Sequence, residues 1–279
     1  MTAVKRFRRR AAPWLNLTAA IIIVLVLLSP LYWAAVTSLK TQNQAYATPA
    51  ALLPPTPNFH AYAHVVQTQG HALLTSLLIA FGTAILTLII ATPAAYALAH
   101  FRFRITGVVI LGMLAAQMVP TIVIGTSLYK TYTHTGLLNS YPGLILADST
   151  YAVPFAILVL RAFLIGIPTE LLEAAAIDGA GELRRFFRVI IPLSKPGLLS
   201  VTLFAFLFAW GDFLFALTLT TTSAIVPVTL SIYSYLGVSI QNWPLVMAAS
   251  LFAAVPAAVF LVVVQRVVKG GLVSTGLKG

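Results

Sequence analysis

Six long apolar runs dominate the chain, and nearly all of its charge lies between them. The runs cover about Leu15 to Thr37, Leu73 to Ala99, Ile105 to Tyr129, Gly143 to Phe163, Gly197 to Leu219 and Leu245 to Gln265. Each is close to the ~20 residues that a helix needs to cross a hydrocarbon core. The runs are continuously apolar rather than alternating, and in lipid every backbone group must be satisfied internally. Helix is therefore predicted over strand. Pro120, Pro154 and Pro256 fall in the third, fourth and sixth runs. Each predicts a kink, because proline removes a helix hydrogen bond. The basic arm Lys5-Arg6-Phe7-Arg8-Arg9-Arg10 ahead of the first run is laid out like a signal peptide. Its apolar core is about twice the usual length, so an uncleaved first helix is expected.

Composition supports lipid as part of the solvent. Of 279 residues, 59% are hydrophobic and 8% charged, against roughly 25% charged in soluble domains. The net charge of +11 could point to nucleic acid, but the basic residues flank the apolar runs and read as topology signals. With the N-terminus placed in the cytoplasm, Lys40 and Lys130 lie outside and the other fifteen of the 17 Lys and Arg lie inside. Both termini are then cytoplasmic. The chain has no cysteine, which removes disulfides and thiolate metal sites. His60 and His64 are four apart, with His71 following, but no carboxylate lies near them and no metal is expected. Pro49, Pro54, Pro55 and Pro57 predict an extended outer segment over 41–70.

The connection between the fourth and fifth runs carries the most information. Pro168 and Thr169 precede Glu170, Glu173 and an alanine run, with Thr169 the expected N-cap and the glutamates suited to the positive helix end. Gly179 and Gly181 permit a sharp stop. A second amphipathic helix from Glu182 is expected to end before Pro192. The pattern is a helix-turn-helix presenting small and apolar side chains such as Leu172, Ala175 and Ile177. Such a surface fits a groove on a partner or the inner leaflet.

Glu173-Ala174-Ala175, then Gly179 and Ile191-Pro192, resemble the EAA loop of ABC importer permeases. The resemblance extends through Thr37-Ser38-Leu39-Lys40, Asn58-Phe59-His60-Ala61-Tyr62 and Gln117-Met118-Val119-Pro120. It continues in Gly136-Leu137-Leu138-Asn139, Trp210-Gly211-Asp212-Phe213 and the tail from Gly270 to Gly279. The chain resembles the sugar branch of that family, the smaller permease of maltose-type importers. Gly211 stands where that family commonly has Asn. The resemblance implies an all-α integral membrane protein with six transmembrane helices, cytoplasmic coupling helices and the type I importer permease fold. The permease core would span 71–266, preceded by an arm, first helix and outer loop at 1–70 and followed by a tail at 267–279.

It further implies coupling to an ATPase through Glu173, Ala174, Ala175, Asp178, Gly179, Ile191 and Pro192, with tail contacts to that ATPase at Gly276 and Lys278. The implied partners are a second permease in a heterodimer, two ATP-binding-cassette subunits using ATP and Mg, and an extracytoplasmic solute-binding protein in a bacterial cytoplasmic membrane. The chain itself would bind no cofactor. It has no Gly-x4-Gly-Lys-Ser/Thr loop to cradle phosphates, so it is expected to be a transport subunit without its own ATPase site.

Two residues stand out as candidates for the solute path. Asp212 lies roughly 22 Å along the fifth run at 1.5 Å per residue, and a charge inside a span marks a pathway or a paired structural site. Its structural reading is an aspartate hydrogen-bonded between helices. Trp210 belongs to an aromatic stretch with Phe204, Phe206, Phe208, Phe213 and Phe215 on which a sugar ring could lie. Three other functions compete: a permease for glycerol phosphate, an ion-coupled transporter and a membrane hydrolase. The ion-coupled reading lacks several buried charges, since Asp212 is the one acid expected well inside a span. The hydrolase reading meets only six acids, four of them in the 169–191 loop.

Overall fold

A computed structural model describes residues 3–101, 103–236 and 242–276, with the side chains of 16–101, 103–236 and 242–268. The helices in order are α1 (Ala3–Ser38), α2 (Gln42–Ala45), α3 (His60–Thr68), α4 (Gly70–His100), α5 (Thr106–Ala116), α6 (Thr121–Thr135) and α7 (Tyr141–Ile165). They continue with α8 (Thr169–Ile177), α9 (Glu182–Arg185), a π-turn (Phe186–Ile190), α10 (Ile191–Leu193) and α11 (Lys195–Gly211). The last are α12 (Leu214–Leu219), α13 (Val228–Tyr233) and α14 (Trp243–Gly276). Four stretches are long and apolar enough to cross a membrane unbroken: Asn16–Ser38, Gly70–His100, Tyr141–Ile165 and Trp243–Val268.

The chain divides into two compact units, residues 1–68 with 235–252, and residues 69–234 with 253–279. In the second unit, α4 and α7 pack closely through small residues. Ala80, Ala84, Ala91 and Ala95 of α4 and Ala147, Ala152 and Ala156 of α7 are buried. Lipid tails are as apolar as leucine, so helices in a membrane associate by van der Waals fit, and small side chains let backbones approach. A Cβ at Gly82 would collide with Ile145. One at Gly197 of α11 would sit 2.8 Å from Cγ of Phe163. These glycines mark where α4, α7 and α11 touch.

Pro120 does more than kink the third run. The helix stops at Ala116 and restarts at Thr121, and α5 and α6 meet at 93°. The turn at Gln117-Met118-Val119-Pro120 leaves the Val119 carbonyl to accept the Tyr151 hydroxyl, so a neighbouring helix holds the break. Pro154 and Pro256 lie inside continuous helices. Gly136 adopts φ +73 as the α6 cap, a conformation that favours glycine. Asn139, in the next turn, accepts the N–H groups of Thr221 (2.6 Å) and Thr222 (2.9 Å) and fastens this loop to the one after α12. The fifth run also differs from expectation. It ends at Gly211 rather than Leu219, and α12 follows as a separate short helix.

The first unit explains two of the short motifs together. The hydroxyls of Ser38 and Tyr62 bond at 2.8 Å, and the Asn58 N–H donates to the Leu39 carbonyl at 2.8 Å. Asn58 also accepts the His60 N–H and starts α3. Lys40 is buried, donating to the Ala51 carbonyl at 2.7 Å with its ammonium over the Trp33 ring. The outer segment is therefore not wholly extended. Thr41 and Gln44 form a reciprocal capping box for α2, and α3 occupies 60–68.

Candidate functional site

The connection after α7 folds into an elbow, α8 followed by the α9 to α10 segment. Thr169 is not its N-cap. Pro168 holds that position, with no side-chain capping bond, and Thr169 falls one place inside the helix. Glu170 still sits in the first turn, where a negative charge offsets exposed N–H groups. The exit is made by the backbone. Gly179 has φ +78, its N–H reaches the Ala176 carbonyl (3.0 Å), and the Ala180 N–H reaches the Ala175 carbonyl (2.9 Å). This paired closure of the last carbonyls needs a left-handed residue after the cap, which explains glycine at 179. Gly181 has φ −67 and caps α9, so it is not a second left-handed stop.

Two anchors hold the elbow. Leu172 is 6% exposed and packs with Leu160, Leu164, Ile190 and Val201. It was expected on the presented face and instead roots α8 in the bundle, because an apolar residue on a short amphipathic helix fits either side. The second anchor is Glu182, which accepts the Tyr96 hydroxyl of α4 at 3.0 Å and pairs with Arg185 at 2.6 Å. Tyr96 in turn packs against Phe186, with ring centroids 5.3 Å apart. No linear motif pairs residues 86 positions apart. Arg161 adds a bond from α7 to the Leu98 carbonyl at the end of α4.

The second arm does not end before Pro192. It runs to Leu193 through a π-turn, closed by the Ile191 N–H on the Phe186 carbonyl. Proline lacks an N–H and its ring crowds the carbonyl four residues back, so the wider turn lets the helix pass it. The chain then bends by 76° into α11.

With these anchors made, Glu173, Ala174, Asp178 and Gly179 remain exposed and Ala175 half-buried. Ile177 is 87% exposed. Beyond them Leu183 and Phe187 are also open. Ile191 is half-buried and Pro192 exposed at the far end of the second arm. The elbow thus offers small and apolar side chains with acids among them. Gly276 is the last residue of α14, and Lys278 lies outside the described residues.

The path candidates are placed differently from one another. Trp210 is 7% exposed, stacked on Phe206 in a cluster with Ala205, Ala209 and Val228. Asp212 is at the end of α11 rather than within a span. Its carboxylate accepts the N–H groups of Phe215 (3.2 Å) and Ala216 (2.9 Å), and its carbonyl accepts the Thr229 hydroxyl (2.5 Å). Asp212 thus bonds to the start of the next short helix instead of bridging two spans by its carboxylate. The aromatic stretch splits by helical spacing. Phe206 and Trp210 face inward with Phe260, while Phe204 and Phe208 are half-buried, Phe204 stacked 3.7 Å from Phe155. Asp148 of α7, by contrast, is a buried acid inside a span, which the run boundaries had placed near an end. Among the described residues, no three His, Cys, Asp or Glu side chains gather to hold a metal.

The family of binding-protein-dependent transport system inner membrane components matches residues 88–270. The trehalose transport system permease protein SugB of Mycobacterium tuberculosis is 34% identical over 275 residues, covering 97% of this chain and 99% of that protein. The sulfoquinovosyl glycerol transport system permease protein SmoH of Agrobacterium fabrum is 32% identical over 267 residues, 95% of this chain and 94% of its own. In fold, the chain is similar to a solved bacterial ABC transporter involved in importing the acidic polysaccharide alginate. The TM-score is 0.76 at 22% identity, over 92% of this chain and 96% of that one.

Proposed function

The chain belongs to the family of binding-protein-dependent transport system inner membrane components, and from that premise we propose that it is one permease of an ATP-driven sugar importer. An extracytoplasmic binding protein delivers the solute, and two separate ATPase subunits, using ATP and Mg, drive the alternation between outward and inward access. A second permease completes the path. Both termini face the cytoplasm, in keeping with the fifteen-to-two division of Lys and Arg. The names of the relatives, one a trehalose and one a sulfoquinovosyl glycerol permease, support a sugar or sugar conjugate as solute.

The observation that carries the mechanism is the elbow. It is fastened to the bundle by Leu172 and by the Tyr96–Glu182–Arg185 contacts, yet it leaves Glu173, Ala174, Ile177 and Asp178 open. A rigid root with an open tip suits transmission of force from a partner that grips the tip. Ile191 and Pro192 lie in the last turn of the second arm, and Gly276 and Lys278 add the tail as a further ATPase contact. For the solute, the half-buried ladder of Phe155, Phe204 and Phe208 is a better surface than Trp210, whose ring is already covered.

Reconstitution with the cognate binding protein, second permease and ATPase tests the assignment. Uptake into proteoliposomes is measured for trehalose, other disaccharides, glycosyl glycerols and glycerol phosphate. ATP-dependent uptake of a sugar is expected. Uptake driven by an ion gradient without ATP would overturn the assignment.

A further inference from the structure

Two aspartates line one small crevice in the second unit. Asp148 is 1% exposed, and its Oδ1 has no hydrogen-bond partner. Asp212 lies on the same crevice, with Ser76, Ile79, Leu144 and Pro227 among its walls. Among the described residues, no lysine, arginine or histidine lines it. The Tyr132 hydroxyl is already given to the Gly143 carbonyl at 3.1 Å. Ser76 accepts the Val228 N–H at 2.8 Å. Asp212 is satisfied by Phe215 and Ala216, whereas Asp148 is not.

Asp148 is buried and Asp212 half-buried, and two carboxylates on one such crevice repel each other unless a positive charge compensates. The protein supplies none there. The crevice holds about 10 Å³ of free space, close to what one water-sized guest needs. We propose that Asp148 and Asp212 together hold a single monovalent cation, a proton or a sodium ion. The guest ties α7 to the joint between α11 and α12, because the Asp212 carboxylate accepts two N–H groups of α12 and its carbonyl carries Thr229. Emptied, the site would set two negative charges against each other across that joint.

The chain contains only three aspartates, Asp148, Asp178 and Asp212. Carboxyl-13C aspartate incorporated into this subunit alone therefore yields three infrared signals in the purified complex in lipid nanodiscs. A sodium-free sample is expected to show a labelled neutral-acid carbonyl band that shifts in deuterium oxide and is lost in Asp148→Asn, identifying a proton. Carboxylate bands that move with sodium chloride but not choline chloride identify sodium. Three ionised aspartates indifferent to sodium and to pH across the stable range would overturn the proposal. Asp148→Asn conserves volume, and if it fails to assemble the labelled wild type with and without sodium decides. The measurement reads charge state rather than transport, so its failure leaves the importer assignment standing.

Discussion

The elbow at 169–193 and the joint at 209–216 each stop one helix and start another, yet by opposite means. At the elbow, backbone closes the helix. Gly179 turns left-handed, Ala175 and Ala176 carbonyls are satisfied by main-chain N–H groups, and the side chains of Glu173, Ile177 and Asp178 are left open. At the joint a side chain makes the turn. Asp212 spends its carboxylate on Phe215 and Ala216, and the neighbouring Trp210 is buried. A turn built from backbone frees its side chains for a partner, and one built from a side chain ties that residue to the fold.

The largest effect that would sharpen this contrast comes from the open side. Glu173→Lys should leave the subunit inserted in the membrane while solute-stimulated ATP hydrolysis falls by on the order of tenfold. Co-purification of the ATPase should fall with it. Normal hydrolysis and normal co-purification in an assembled variant would break the contrast. Tyr96→Phe removes a bond to a charged acceptor and should cost about 1.5 kcal/mol, seen as a lowered thermal midpoint of the detergent-solubilised subunit.

At the joint, Asp212→Ala removes two backbone contacts and should cost about 1 kcal/mol, the usual scale for a lost cap. Asp212→Asn keeps an acceptor oxygen and should retain most of that stability and an unchanged solute KM. A large KM rise in the Asn variant would return Asp212 to the solute path. The smallest effect belongs to Thr169→Ala. Because Thr169 makes no capping bond, stability should change by less than about 0.5 kcal/mol.

What was legible in advance follows the same division. Gly179 was readable because few residues other than glycine tolerate that turn after an alanine helix, and the alanines and glutamates marked the helix before it. The apolar runs located the spans for the same local reason. The 93° break at Pro120 was readable only as a kink, since the Val119 carbonyl it frees is taken up by Tyr151 from another helix. Leu172 was assigned to the wrong side because periodicity shows an apolar face without showing what covers it. The Tyr96–Glu182 contact had no local signal at all. Asp148 was missed as a buried acid because the edge of an apolar run is not the depth of a helix, and α7 begins at Tyr141.

The central claim is that the open tip of the elbow is held by the ATPase. The natural chain has no cysteine, so Ile177→Cys provides a single thiol at a side chain that is 87% exposed. A short cysteine-to-lysine cross-linker applied to the assembled importer from the cytoplasmic side should join this subunit to an ATPase subunit, with a yield that changes on adding ATP. A thiol that reacts only from the external side, or that gives no ATPase adduct in a complex that still transports, would contradict the account.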